Sequence, residues 1–151
     1  MVRHQTLVFR VCFRILGDRE DAKDAAQEAF IRAYKKMDGF EGRSSFKTWM
    51  TRLTVNVSLN ERGKRKENLD IEDWAPPELG DGPEAEAVKA EALAKLHKAL
   101  QALQPNHRAA VVLHDLEGMN FREVGESLDV PEQTAKSWAY RGRQRLKDLL
   151  T

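Results

Sequence analysis

The segment from Asn120 to Lys147 constrains the fold most strongly, because its pattern is typical of two short helices joined by a tight turn. Asn120 can cap a first helix, and Glu123, three residues later, completes a capping box. Apolar residues recur at helical spacing in that first helix, which predicts one buried face. Pro131 has no backbone donor for a helix interior but suits the first turn of a new helix, so a second helix is predicted to start there.

The second helix presents side chains that suit contacts with DNA. Its buried stripe is predicted to be Ala135, Trp138, Ala139 and Leu146. The outer face offers groups that can hydrogen-bond bases or phosphates, namely Glu132, Gln133, Lys136, Ser137, Tyr140, Arg141, Arg143 and Arg145. In a helix-turn-helix the second helix enters the major groove by its first residues, and later basic residues follow the phosphates. The alternative is an ordinary helical hairpin with a solvated basic face.

The composition is ordinary for a soluble globular protein, with 41% hydrophobic and 32% charged residues among 151. Apolar runs are far shorter than the roughly 18 residues that a bilayer crossing needs, and no signal-peptide core is visible. We therefore expect a cytoplasmic protein without membrane insertion. The single cysteine, Cys12, has apolar neighbours and is expected to be a buried small hydrophobe.

Several kinds of chemistry are not indicated by the sequence. The four histidines fall on separate predicted helices without the spacing of metal ligands. The chain also lacks a phosphate-binding glycine loop. We expect no metal, no cofactor, no catalytic residue and no enzymatic activity.

Charge is strongly segregated along the chain although the net charge is only +1. Residues 1–66 carry 15 basic and 8 acidic side chains, residues 67–92 carry one and nine, and residues 93–151 carry nine and seven. Two basic parts separated by an acidic middle fit two modules that face nucleic acid, joined by a tether that phosphates repel.

The N-terminal module begins with a predicted helix from Val2 to Leu16, and a second helix runs to about Met37. The core stripe of the second helix is predicted to be Ala22, Ala25, Ala26, Ala29, Phe30, Ala33, Tyr34 and Met37. The opposite side must then face outward, with Asp24, Gln27, Glu28 and Ile31. Two like charges one turn apart beside an exposed isoleucine suggest a basic partner, and a solvated face is the alternative.

Residues 38–45 form a glycine-punctuated loop that displays Phe40 and leads into a third helix. One face of that helix is apolar, and Trp49 is expected to belong to the core. The other face is polar and continues into a basic run, with Lys47, Thr48, Arg52, Asn56, Asn60, Arg62, Lys64 and Arg65. Basic groups near aromatic and small polar residues suit a separated DNA strand.

The predicted fold class is all-α, with two small helical domains joined by a flexible acidic linker. The domains are residues 1–67 and 85–151, and residues 68–84 are the linker. The C-terminal domain is predicted to contain a helix from Ala85 to Leu103, with core residues Ala92, Leu93, Leu96, Leu100 and Leu103, and another from Asn106 to Leu116. It ends in the helix-turn-helix.

The order of these segments resembles the extracytoplasmic-function (ECF) sigma factors of the sigma-70 superfamily. Region two is matched by LGDREDAKDAAQEAFIRAYKKMDGF, the −10-reading helix by GRSSFKTWMTRLTVN, and region four by ALQALQPNHRAAVVLHDLEGMNFREVGESLDVPEQTAKSWAYRGRQRLK. The resemblance implies a non-enzymatic initiation subunit that binds core RNA polymerase, reads duplex −35 DNA and captures the melted −10 element. It also implies an anti-sigma factor as a partner.

The resemblance implies three sets of site residues. Those that face the polymerase are Asp24, Gln27, Glu28 and Ile31. Those at the −10 element are Phe40, Arg43, Ser44, Lys47, Arg52 and Asn56, to which the basic run adds Arg62, Lys64 and Arg65. Those at the −35 element are Gln133, Thr134, Lys136, Ser137, Tyr140, Arg141 and Arg143.

Some positions depart from the family pattern. Thr51 and Val55 stand where an aromatic residue and an arginine are frequent, His114 stands at a common arginine position, and Trp138 replaces a common basic residue. The stretch before the first helix is shorter than is usual in the family. The promoter sequence therefore does not follow from the resemblance. Two alternatives remain. One is a stand-alone helix-turn-helix regulator that binds duplex DNA without polymerase, and the other is a protein-interacting decoy.

Overall fold

The computed structural model describes residues 2–40, 42, 45–64 and 83–151. All regular structure in these ranges is helical. The α-helices are α1 (Val2–Leu16), α2 (Arg19–Lys36), α3 (Phe46–Lys64), α4 (Pro83–Gln101), α5 (Pro105–Val111), α6 (Phe121–Leu128) and α7 (Glu132–Leu150). A 3-10 turn at Met37–Gly39 extends α2, and a π turn at Val112–Leu116 extends α5. The prediction of an all-α protein with two helical domains is confirmed.

The helix ends lie where the local sequence places them. Gly17 takes a positive φ of 81° after α1, and the Asp18 side chain accepts a 2.9 Å hydrogen bond from the Asp21 N–H at the start of α2. Asn120 and Glu123 form the predicted capping box of α6. These caps satisfy backbone groups that have no partner inside the helix.

The first domain packs α1, α2 and α3 around a core in which α2 contributes only alanines. The buried residues of α2 are Ala22, Ala25, Ala26, Ala29 and Ala33. The prediction that Tyr34 and Met37 continue this stripe is wrong, because Tyr34 is 77% exposed and Met37 is 42% exposed. Met37 already lies in the 3-10 turn, and Tyr34 lies at the edge of the alanine stripe.

The second domain packs α4, α5, α6 and α7. One of its clusters consists of Ala99, Leu100, Leu103, Val111, Val112 and Leu146. The prediction that Ala92 is a core residue is wrong, since Ala92 is exposed. Among the side chains of α4 that the structure describes, residues 87–101, the buried ones all lie in the C-terminal half of the helix. Trp138 is partly buried against the core, and Gly142 joins the inner stripe of α7.

The two domains share a continuous apolar core. It joins Leu7, Val11, Ile15 and Val55 to Ala109, Ala110, Leu113, Met119, Val124, Ala135 and Ala139. Arg108 is fully buried at this boundary, and its guanidinium donates to the carbonyl oxygen of Ile15 at 2.7 Å. The domains are therefore packed against one another rather than held only by the chain between them. Across the described ranges, no helix has the length and apolar character needed to cross a membrane.

Candidate functional site

The outward side of α2 forms the first candidate surface. Asp24 and Gln27 are exposed, Glu28 accepts a 3.0 Å hydrogen bond from Arg32 Nε, and Ile31 is 44% exposed. The i,i+4 pair fixes the Glu28 carboxylate on the surface but contributes only a few tenths of a kcal/mol. The four residues predicted to face a protein partner thus lie together on one accessible face.

An apolar groove of about 700 Å³ borders this face between α1 and α2. It is lined by Gln5, Phe9, Lys23, Ala26, Gln27, Phe30, Ile31, Tyr34 and Lys35. The helical periodicity of α2 predicts that Phe30 and Tyr34 are core residues. Sequence reasoning therefore did not predict that they line a groove at the surface. Because Tyr34 is exposed, the candidate surface includes the apolar groove as well as the polar side chains of α2.

The loop before α3 is built around aromatic packing. Phe40 lies 5.3 Å from Trp49 and 5.9 Å from Phe46 between ring centroids. The Ser45 hydroxyl accepts a hydrogen bond from the Thr48 N–H at 3.1 Å, as a helix-capping residue does. Trp49 is partly buried in the core as predicted. Phe40 packs on this cluster, while Arg43 and Ser44 lie outside the described residues.

The polar face of α3 forms the second candidate surface. Lys47, Arg52 and Asn56 are exposed, and the Arg52 guanidinium lies 3.3 Å from the carboxylate of Asp129. Arg62 and Lys64 fall in the last turn of α3, but their side chains lie outside the described residues, as does all of Arg65.

The third candidate surface is a helix-turn-helix. Asp129 ends α6 in the left-handed conformation with φ 59°, and α7 starts at Glu132 with Pro131 as its capping residue. A Cβ on Gly125 would lie 2.7 Å from the Val130 carbonyl oxygen, so the turn requires glycine there. This close approach fixes the angle between α6 and α7.

Most of the residues predicted to read duplex DNA are exposed on α7. Gln133, Lys136, Ser137, Tyr140 and Arg141 are exposed, and Thr134 is half-buried. Tyr140 is 62% exposed although it is aromatic. Exposed amide, hydroxyl and basic groups at the start of the second helix are placed as a major-groove helix requires.

Arg143 differs from the other predicted residues of α7 because its exposed side chain is paired with a carboxylate of another element. Its Nε lies 3.1 Å and 3.0 Å from the two carboxylate oxygens of Asp115. The pair connects α7 to the π turn after α5. His114, the residue before Asp115, stacks on Phe121 with 3.9 Å between ring centroids. Its Nδ1 lies 2.8 Å from the Met119 carbonyl oxygen. Both contacts position the helix-turn-helix, and neither was predicted.

Burial shifts the pKa of several groups, among them one thiol and two imidazoles. Desolvation raises the pKa of the Cys12 thiol from 9.0 to about 11. Desolvation lowers the pKa of His97, and the positive charges of Arg108 and Arg14 lower it further against the opposing hydrogen bond to the Gly17 carbonyl. Desolvation and then Arg141 lower the pKa of His107. The described ranges hold no group of three or more His, Cys, Asp or Glu side chains able to bind a metal ion.

Comparison with known proteins finds matches to two family models, in the order that the sequence predicts. The Sigma-70 region 2 model matches residues 1–68, and the Sigma-70, region 4 model matches residues 93–146. The ECF RNA polymerase sigma factor SigE of Mycolicibacterium smegmatis is 36% identical over 98% of the chain and 59% of the relative. The ECF RNA polymerase sigma factor SigW of Bacillus subtilis is 32% identical over 95% of the chain and 82% of the relative.

Solved structures share the fold. The sigma factor RpoE of Bartonella quintana, in complex with the anti-sigma factor NepR, superposes with a TM-score of 0.76 at 21% identity, covering 99% of this chain and 92% of that one. CnrH in complex with the cytosolic domain of CnrY gives a TM-score of 0.70 at 20% identity, covering 99% and 83%. At these identities the likeness concerns the fold alone.

Proposed function

The chain belongs to the ECF sigma factors of the sigma-70 family, and we propose that it binds core RNA polymerase and directs promoter recognition, DNA melting and transcription initiation. The chain spans 59% of the length of the Mycolicibacterium smegmatis relative and 82% of the Bacillus subtilis relative. The proposed activity is one of binding and not of catalysis.

The observation that carries the proposal is the exposed outer face of α7 in a helix-turn-helix that belongs to a region 4 match. Lys136 and Arg141 supply charge for phosphates, and Gln133 supplies an amide that can bond the edge of a base. We assign this face to the −35 duplex. Arg143 Nε donates to the Asp115 carboxylate, so Arg143 contributes to the orientation of α7. The remaining N–H groups of its guanidinium are the ones that can bond to DNA.

The polymerase surface is assigned to the outward face of α2. Its acidic pair, Asp24 and Glu28, would attract basic groups of the polymerase, while Ile31 and the neighbouring groove would bury apolar surface. Apolar burial gives about 25 cal/mol per Å², so an apolar groove beside a charged rim is well suited to a stable contact. The groove lies on the same side as Gln27 and Ile31, which places both features within one footprint.

The −10 element is assigned to α3 and the loop before it. Lys47, Arg52 and Asn56 provide charge and hydrogen bonds along one face of α3. Unstacking a base costs a few kcal/mol, which contacts to phosphates and to a base held outside the duplex can offset. No nucleotide hydrolysis is then needed for melting.

Partners of the proposed function are core RNA polymerase, promoter DNA and an anti-sigma factor. The sigma factor RpoE was solved in complex with the anti-sigma factor NepR, and CnrH was solved in complex with the cytosolic domain of CnrY. The shared fold supports a protein partner of the same kind for this chain. Its action takes place where the polymerase and the promoter are, in the cytoplasm.

Runoff transcription tests the proposal. Purified chain with bacterial core polymerase should give transcripts from mapped start sites on genomic promoter fragments, and core polymerase alone should not. A stand-alone regulator would instead bind operator duplex tightly and never support initiation. That second outcome would refute the proposed function.

A further inference from the structure

Arg143 lies in the same row of side chains on α7 as two residues assigned to duplex DNA. Residues three or four positions apart share a helix face, so Lys136, Tyr140 and Arg143 follow one another along that face. All three side chains are exposed. The positive charge of Arg143 is therefore presented on the same side of α7 as the positive charge of Lys136.

A carboxylate from another element pairs with Arg143. The two oxygens of Asp115, in the π turn after α5, lie 3.1 Å and 3.0 Å from Arg143 Nε. The pair stays open to solvent, with 44% of the Arg143 side chain and 33% of the Asp115 side chain exposed. Lys136 differs, because its nearest carboxylate is Glu132 of the same helix, at 4.0 Å.

The turn that carries Asp115 is fixed by contacts of the residue before it. The His114 ring stacks on Phe121, with 3.9 Å between ring centroids. His114 Nδ1 also lies 2.8 Å from the carbonyl oxygen of Met119. Asp115 therefore meets Arg143 from a backbone whose position is set independently of the ion pair.

The ion pair has more consequence for DNA binding than for folding. A pair of partly exposed side chains contributes little to stability, because both groups remain hydrated and screened. Binding to duplex DNA is different, because a cation that neutralises a phosphate releases condensed counterions. A guanidinium that is already neutralised by a carboxylate releases fewer of them, and the carboxylate repels nearby phosphates.

We propose that Asp115 competes with DNA phosphates for Arg143 and so lowers the affinity of the chain for DNA of unrelated sequence. The inference deepens the proposed function and rests on it, since it concerns the face assigned to the −35 duplex. Counterion release dominates binding to unrelated sequence, and the neutral pair adds little to it.

DNA that carries the correct −35 element meets the pair differently. Base contacts fix the register of α7 on that duplex, so one phosphate is held at a constant position. Such a phosphate can bond to the Nη groups of Arg143 while Nε stays on Asp115. Asp115 therefore weakens binding to the correct element less than binding to unrelated DNA, and it raises the ratio of the two affinities.

The isolated chain tests the competition on a random-sequence duplex. Asp115→Asn should steepen the slope of log K against log salt by about 0.9, the value for one added phosphate contact. Its gain in affinity should then be about threefold larger at 50 mM salt than at 200 mM salt. Fluorescence anisotropy measures both quantities, and circular dichroism checks the fold. Asp115→Ser also removes the charge and is the second variant should Asp115→Asn not fold.

Two further variants separate this role from a general effect of charge. Glu91→Gln removes an exposed partner of Lys95 on α4 and should leave the slope unchanged. In an Arg143→Met background, Asp115→Asn should no longer steepen the slope, because the guanidinium is absent. An unchanged slope for Asp115→Asn alone, or an equal increase with and without Arg143, would overturn the proposal. Weaker binding without a steeper slope would also overturn it, because Asp115 would then only orient α7.

Holoenzyme assembled with core polymerase tests the effect on discrimination. The probes are a promoter fragment with a mapped start site and the same fragment with its −35 region scrambled. Asp115→Asn should reduce the ratio of the two affinities by about threefold, and an unchanged ratio would overturn the inference. A steeper slope in a chain that never supports runoff transcription would support the role of Asp115 and refute the proposed function. Runoff transcripts together with an unchanged slope would overturn the inference and leave the proposed function standing.

Discussion

Arg108 shows how one residue can hold several helix ends at once. Its guanidinium donates to the carbonyls of Leu100 at 2.5 Å, Gln101 at 2.7 Å, Leu103 at 2.8 Å and Ile15 at 2.7 Å. The charge is buried, yet these backbone oxygens compensate it. The Arg108 side chain connects the end of α4 to the end of α1 through hydrogen bonds that neither helix can make internally.

Replacement of Arg108 by Met should lower the free energy of unfolding by about 3 kcal/mol or more, because buried carbonyls lose their donors. Urea denaturation with circular dichroism measures the change. Arg122→Met is the control, since Arg122 is exposed on α6 and should change stability by no more than about 0.5 kcal/mol. Equal stability of the two variants would show that Arg108 does not hold the helix ends.

The Cys12 thiol gives a prediction about pH. Its pKa is raised by burial from 9.0 to about 11, so the folded state holds a proton that the unfolded state releases. The stabilisation is complete below pH 9.0 and is lost as pH rises towards 11. The difference in unfolding free energy between the unchanged protein and Cys12→Ala should therefore shrink above pH 9.0. A difference independent of pH would contradict a buried thiol.

Individual residue roles were predictable where one local rule decides them. The capping box of Asn120 and Glu123 and the burial of Cys12 follow from short stretches of sequence. Tyr34 was not predictable by the same reasoning, because helical periodicity gives the direction of a side chain but not whether another element covers it. Within the part of the chain that the structure describes, no element covers the edge of α2 where Tyr34 lies, and Tyr34 lines the groove.

At the scale of elements, the turn between α6 and α7 depends on Gly125. Alanine is the better helix former by about 1 kcal/mol, but its Cβ would lie 2.7 Å from the Val130 carbonyl oxygen. Gly125→Ala should therefore lower the melting temperature and the affinity for duplex DNA together. Gly39→Ala, where a Cβ meets nothing within 4 Å, should leave both unchanged. A stabilised Gly125→Ala variant would contradict the close approach.

The outer face of α7 yields a prediction about salt. Lys136→Ala should weaken binding to −35 duplex uniformly across sequences and reduce the slope of log K against log salt by about one, as expected for loss of one phosphate contact. Lys95→Ala on α4 removes an equal charge paired with Glu91 and serves as the control. Fluorescence anisotropy across a salt series measures both. An unchanged slope would remove Lys136 from the DNA contact.

The helices were predictable to within a few residues because caps and glycines mark their ends. The π turn at Val112–Leu116 and the ion pair of Asp115 with Arg143 were not. Both depend on contacts between elements distant in the sequence. Arg143 was assigned to DNA by its position on the outer face, and the structure adds a carboxylate partner that no local pattern indicates.

At the scale of the whole molecule, the two domains and their order follow from charge segregation and from helix periodicity. Their mutual packing does not. Val55 stands at a position where the family often has an arginine, and in the structure it is fully buried in the core shared with Val124 and Ala139. An apolar residue such as Val55 on the polar face of α3 indicates that another element packs against that face. The sequence alone does not say which element this is.

The central claim is that the outward face of α2 binds core RNA polymerase. Its most direct test is the affinity of the chain for purified core enzyme, measured for the unchanged protein, Glu28→Lys and Glu91→Lys. Both substitutions reverse an exposed i,i+4 partner, of Arg32 on α2 and of Lys95 on α4. We expect Glu28→Lys to lose binding by at least tenfold with its fold and its duplex DNA binding intact, while Glu91→Lys binds as the unchanged protein does. Equal affinity of all three, or no binding by the folded unchanged chain, would contradict the claim.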